Sequence, residues 1–178
     1  KTILLRSRDL VNADLTLVEL DYWFRVADSE LQVAGSRQGE ELVARITTAG
    51  TTTAQRLAAP GKLYPSSVIN LYPALHGLEV GREHRYLVYH GQTQSLAEVT
   101  QRIAGYEKSD LFAGNAFKVE TAMRGQRMTS WIGPDGKLRF ELAMHGVLIS
   151  FLEDAESAGR YLARSSLNKK EGLVEFSL

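Results

Sequence analysis

Apolar and polar residues alternate with a period of two along most of the chain, most regularly between Gly114 and Leu162. There Phe117, Val119, Thr121 and Met123 alternate with Ala116, Lys118, Glu120, Ala122 and Arg124. Met128, Ser130 and Ile132 alternate with Arg127, Thr129 and Trp131. After the turn Gly133-Pro134-Asp135-Gly136, Leu138, Phe140, Leu142 and Met144 alternate with Lys137, Arg139, Glu141 and Ala143. One apolar and one polar face is what a half-buried antiparallel strand requires. Val147, Ile149 and Phe151 supply a fourth strand. Asp154 is then placed to cap a helix whose buried side is Ala155, Ala158, Tyr161 and Leu162.

The first third follows the same rule. A short edge strand is expected over residues 2–6, with Arg6, Arg8 and Asp9 marking a polar turn. In the next strand Thr16, Val18, Leu20, Tyr22, Phe24 and Val26 share a face opposite Glu19, Asp21, Trp23 and Arg25. A strand this long implies strong twist or curvature. Turns at Asp28-Ser29, Gly39 and Ala49-Gly50 divide the chain about every ten residues, as in all-β architecture. Leu31, Val33, Leu42, Ala44 and Ile46 face inward. Residues 60–77 break the meander. Ser66 or Ser67 is placed to cap a short helix that buries Val68, Ile69, Leu71 and Tyr72, and Pro73 ends or kinks it. Strands return with Tyr86, Val88 and His90, then with Ala97, Val99 and Ile103. The expected fold is mainly β (α+β): a curved antiparallel sheet or half-barrel with two short helices, as a single domain over residues 1–178. Residues 173–178 read as a short exit strand or as a linker.

Composition narrows the function classes. The chain has 178 residues, enough for one sizeable core. Lys plus Arg and Asp plus Glu each number 21, which argues against a general nucleic-acid or anionic-membrane binder. There is no cysteine, so thiolate nucleophiles, disulfides and Cys-ligated metals are excluded. No apolar run approaches the ~20 residues of a membrane span. The chain starts at Lys1 with neither an initiator Met nor a signal peptide, which suggests a processed or excised segment.

Candidate chemistry is sparse. His84 and His90 share a strand face but stand about 20 Å apart by strand rise, too far for one metal. His76 and His145 stand alone. No zinc-binding helix motif, nucleophile elbow or phosphate-binding glycine loop occurs, so no metal or cofactor is expected. The carboxylate pairs Asp154/Glu156 and Glu19/Asp21 read as a helix N-terminus and a solvated strand face. Two binding surfaces remain. Arg124, Arg127, Lys137 and Arg139 surround Trp131 on one hairpin and could hold an anionic or sugar-bearing ligand. The simpler reading is a solvated face whose Arg stems cover the indole. Tyr22, Phe24, Phe117, Met123, Phe140 and Met144 would line the concave face of a bent sheet. Left unfilled, that face would carry a hydrophobic or lipid-like ligand. Filled by the helices, it is the core, each large side chain contributing about 1.5–3 kcal/mol.

Several segments resemble the N-terminal, non-catalytic region of bacterial transglutaminase-like proteins of the cell envelope. Leu78-Glu79-Val80-Gly81-Arg82-Glu83-His84-Arg85-Tyr86 is similar to that family's Leu-x-x-Gly followed by an aromatic strand. Trp131 to Leu138 resembles its tryptophan–turn–Asp-Gly-x-Leu hairpin. Glu153 to Ala158 resembles its acidic helix start, and Ala163 to Lys170 with Glu175 to Leu178 resembles the lead into its papain-like domain. The resemblance implies a non-catalytic accessory domain, periplasmic or in the cell envelope, with residues 166–178 leading toward a downstream catalytic domain. The expected partners are that domain or an envelope protein. The family's Cys-His-Asp site has no counterpart in these residues, since the chain lacks Cys.

Overall fold

The computed structural model describes residues 3–143, 148–157 and 159–160. Five strands form an antiparallel meander: β1 (Ile3–Val11), β2 (Leu17–Val26), β3 (Ser29–Gln38), β4 (Glu41–Thr48) and β5 (Thr51–Ala58). Then come β6 (Leu63–Pro65), a 3-10 turn (Ser66–Val68) and α1 (Tyr72–His76). A second meander follows: β7 (Glu83–His90), β8 (Ser95–Lys108), β9 (Asn115–Met123), β10 (Gln126–Ile132), β11 (Leu138–Ala143) and β12 (Leu148–Phe151). The strands form two sheets, five-stranded in chain order and seven-stranded in the order β12 to β6. Every pairing is antiparallel except β6 with β7. The fold is thus mainly β with two short helices, and among the described residues neither sheet closes into a barrel.

Local chemistry explains the hairpins. Ala49-Gly50 and Arg124-Gly125 are two-residue turns in which both residues have positive φ, 50° and 78° in the first and 52° and 76° in the second. That is the geometry whose twist matches the strands it joins. The 14-residue β8 takes up its bend at a register shift between Ile103 and Gly105.

Three expectations are corrected. Arg6, Arg8 and Asp9 do not form a turn but continue β1, opposite Trp23, Asp21 and Leu20. Pairing with β2 satisfies their backbone, and alternation sends both arginines to the solvent face. Pro73 does not end the helix but lies in the first turn of α1, where its missing N–H is one that has no helical partner anyway. Neither Ser66 nor Ser67 caps: the residue before the 3-10 turn is Pro65, and Ser67 Oγ donates instead to Asp9 at 2.5 Å.

One face of the five-stranded sheet packs on β6, β7 and the start of β8, joining Leu20, Tyr22, Val33, Leu42, Ala44 and Ile46 to Leu63 and Tyr89. The connection from Leu63 to Gly81 covers the opposite face of the seven-stranded sheet, where Tyr64, Val68, Ile69 and Tyr72 meet Tyr86, Val88 and Val99. Tyr72 stacks between Tyr86 and His76 at ring-centroid distances of 3.8 and 3.9 Å. Buried polar contacts fix this cover in place. Gln101, fully buried, donates to Ile69 O (3.0 Å) and Thr121 Oγ1 (3.2 Å) and accepts from Tyr86 Oη (2.8 Å). Asn70 donates to Glu141 (2.6 Å) and accepts from Ser130 (3.0 Å). At the far end Asp154 caps the helical residues from Ala155 as expected, accepting from the Ser157 N–H at 2.8 Å. That bond holds its carboxyl below the usual range. Ala158, Tyr161, Leu162, the 173–178 segment and Met144 lie outside the described residues.

Candidate functional site

The residues singled out around Trp131 do not converge. Trp131 is only 7 % exposed. Its ring packs on Phe112 and Phe140 at 6.1 and 5.7 Å, the Lys118 ammonium lies 5.8 Å over it, and its N–H donates to Glu107 at 2.7 Å. Arg139 turns back to pair with Asp135 at 2.9 Å in its own hairpin. Arg124 occupies the β9–β10 turn and donates to Ser95 Oγ at 2.6 Å. Arg127 opens onto a groove.

The apolar set is likewise divided. Tyr22 and Phe24 belong to the contact between the sheets. Met123 lies against the 63–81 cover, Phe117 joins Ile103, Val119 and Ile132, and Phe140 joins Trp131. They serve four separate clusters. The apolar hollow beside Met123 and Met128 measures about 70 Å³, below the ~300 Å³ at which ligand pockets begin.

The groove at Arg127 follows from register. On the face of the seven-stranded sheet that carries Tyr89, beyond its contact with the five-stranded sheet, Glu83, Arg102, Glu120 and Thr129 stand directly opposite one another across β7 to β10. The next row is Arg85, Thr100, Ala122 and Arg127. Thr100 and Ala122 are short, so the long side chains around them bound an open groove of about 340 Å³. Glu83, Arg85, Arg102, Glu120 and Arg127 are all exposed and enter no ion pair among the described residues. Such a surface can make charge-assisted hydrogen bonds of both polarities. The sequence hid it because cross-strand rows depend on register, and register between strands is not printed in either strand.

Other titratable groups are structural. His84 is buried, its Nε2 facing Gly77 O at 3.1 Å, and burial lowers its pKa. Burial raises the Tyr89 hydroxyl to about 12. The Asp14 carboxyl is held well below the usual range by the Thr16 hydroxyl and by Lys62. Among the described residues no group of three or more His, Asp or Glu could hold a metal ion. No helix among them is long and apolar enough to cross a membrane. No protein-family model, curated protein or solved structure matches the chain.

Proposed function

We propose that this chain is a non-catalytic accessory domain of a transglutaminase-like cell-envelope protein, and that it docks a protein partner on the charged face of β7–β10. The observation that carries the docking surface is the row Glu83–Arg102–Glu120. Opposite charges stand across from one another there, yet none is consumed in an ion pair among the described residues. Mixed charge of this kind favours register and specificity at a protein interface over bulk affinity. The Trp131–Leu138 hairpin and the Leu78–Tyr86 segment supply the resemblance behind the family context, and the partner it points to is the downstream catalytic domain or an envelope protein.

The test has two stages. The coding sequence beyond Leu178 is read first; a domain with Cys, His and Asp in papain-like order is expected, and its absence removes the accessory role. That domain is then titrated calorimetrically against the chain. Arg102→Glu with Arg127→Glu is expected to weaken binding by about tenfold or more, with affinity falling as salt rises. Affinity indifferent to both changes refutes the docking surface.

A further inference from the structure

The described residues present four sheet edges, β1 and β5 in one sheet and β6 and β12 in the other. An edge strand shows a row of unpaired backbone N–H and C=O groups, and proteins blunt such rows with charge, proline, bulges or short length. Three of these edges are blunted. β1 carries Arg6, Arg8 and Asp9 and shifts register between Leu10 and Val11. β6 is three residues long and ends on Pro65, and β12 is four residues long. β5 has none of these devices. It runs for eight residues, Thr51 to Ala58, in unbroken register with β4. It holds no proline or glycine, and its one charge, Arg56, is paired with Glu41 of β4 at 2.9 Å.

Hairpin geometry fixes which groups are open. Ala49-Gly50 is a two-residue turn, so Thr48 and Thr51 exchange both backbone bonds. Alternation then points the N–H and C=O of Thr51, Thr53, Gln55 and Leu57 at β4, and those of Thr52, Ala54, Arg56 and Ala58 away from it. All four outward residues are exposed, and apart from Arg56 their side chains are short. On the opposite face of the strand Gln55 donates through Nε2 to Gln94 O at 3.1 Å, while its Oε1 is buried with no partner among the described residues.

We propose that β5 pairs with β5 of a second copy of this chain, antiparallel about a twofold axis at Ala54, so that two five-stranded sheets become one. The edge is complementary to itself in this register. Thr52 stands opposite Arg56 of the second copy and Ala54 opposite its own counterpart, and each such pair exchanges both open backbone bonds. Arg56 faces Thr52 and, one strand further, Thr47 of the second copy, so no like charge meets it. With the axis at Gln55 the same row would align Arg56 with Arg45 of the second copy. The axis at Ala54 also sets Thr53 of the second copy opposite Gln55, which brings a hydroxyl donor beside the orphaned Oε1. A foreign peptide suits the edge less well, because strand-adding sites carry pockets for alternate side chains. The groove at Arg127 and the hollow beside Met123 belong to the other sheet, and the open space over β3 reaches no further than β4. Each copy brings one such edge, so the pairing closes as a dimer. The charged groove lies on the other sheet, so the two readings stand or fall separately.

The experiment is sedimentation velocity of the chain over a concentration series. A monomer–dimer equilibrium is expected, with no larger species. Ala54→Lys sets like charges opposite one another at the axis. Ala54→Pro removes a donor that faces only the second copy and leaves the bonds to β4 in place. Each is expected to raise the dimer dissociation constant by about tenfold or more. Arg8→Glu, on the β1 edge of the same sheet, is expected to leave it unchanged. The chain has no cysteine of its own, so Ala54→Cys supplies a single thiol. Opposed Cα atoms about 5.5 Å apart fall within disulfide range. Mild oxidation is therefore expected to link Ala54→Cys into a dimer faster than Arg45→Cys, one strand inward. A urea midpoint close to wild type reports that each variant is folded. A chain that stays monomeric up to millimolar concentration overturns the proposal and leaves the edge to a strand from another protein. A dimer unchanged in both folded Ala54 variants, growth beyond a dimer, or cross-linking no faster at Ala54 than at Arg45 overturns it as well.

Discussion

Gly91 lies against the Tyr22 ring of the other sheet, and its replacement tests how the two sheets are packed. It follows β7 in the seven-stranded sheet, is buried, and has no left-handed φ, so its backbone accommodates any residue. What it lacks is room. A Cβ added there would lie 2.6 Å from Tyr22 Cγ, 2.8 Å from Cδ2 and 3.1 Å from Cβ. These atoms belong to a ring root on β2 that is itself only 9 % exposed, with no flexible tip to swing aside. Overpacking of this kind costs about 1–3 kcal/mol. Replacing Gly by Ala recovers about 0.4–1 kcal/mol through the unfolded chain. Gly91→Ala should therefore destabilise by about 1–2 kcal/mol. With an m-value of about 2 kcal/mol/M in urea, the midpoint should fall by about 0.5–1 M. In a Tyr22→Ala background the two ring contacts are gone and only the 3.1 Å approach to Cβ remains, so the same change should cost clearly less. A Gly91→Ala midpoint equal to wild type, or an equal loss in both backgrounds, refutes the reasoning.

Other outcomes follow from the buried polar groups and the turns. Gln101→Leu strands the Tyr86 hydroxyl and the Ile69 carbonyl, and should cost about 2–6 kcal/mol in urea unfolding, at about 1–3 kcal/mol for each orphaned group. Burial lowers the His84 pKa below its unfolded value near 6.5. The folded state therefore prefers the neutral ring, and its stability should be complete above that value and decline as pH falls from about 6.5 toward the folded pKa. Melting temperatures at pH 7.5 and pH 5 should differ more for the wild type than for His84→Gln. Ala49 holds φ 50° beside Gly50, so Ala49→Asn should raise stability by up to about 1 kcal/mol and move the urea midpoint upward.

Much of the architecture is determined by the chain alone, because alternation and turn chemistry are local. The inward faces at Leu42, Ala44 and Ile46, the turns at Ala49-Gly50 and Gly133–Gly136, and the cap at Asp154 need nothing beyond their neighbours in sequence. Tertiary structure decided which strands share a sheet, since a period of two names a face but not a partner strand. It decided that Pro73 opens a helix, because Tyr72 stacks on Tyr86 from a different strand. It also set the two tryptophans apart. Each lies on an alternating strand beside arginines, and sequence cannot separate them. Trp131 is closed over by Phe112 from a distant loop and by Phe140 from the next strand. Trp23 faces the side of its sheet that nothing among the described residues covers, because packing against β6–β8 uses the other side. Whether an aromatic residue becomes core or surface depends on which layer arrives above it, and that is a property of the assembled sheets.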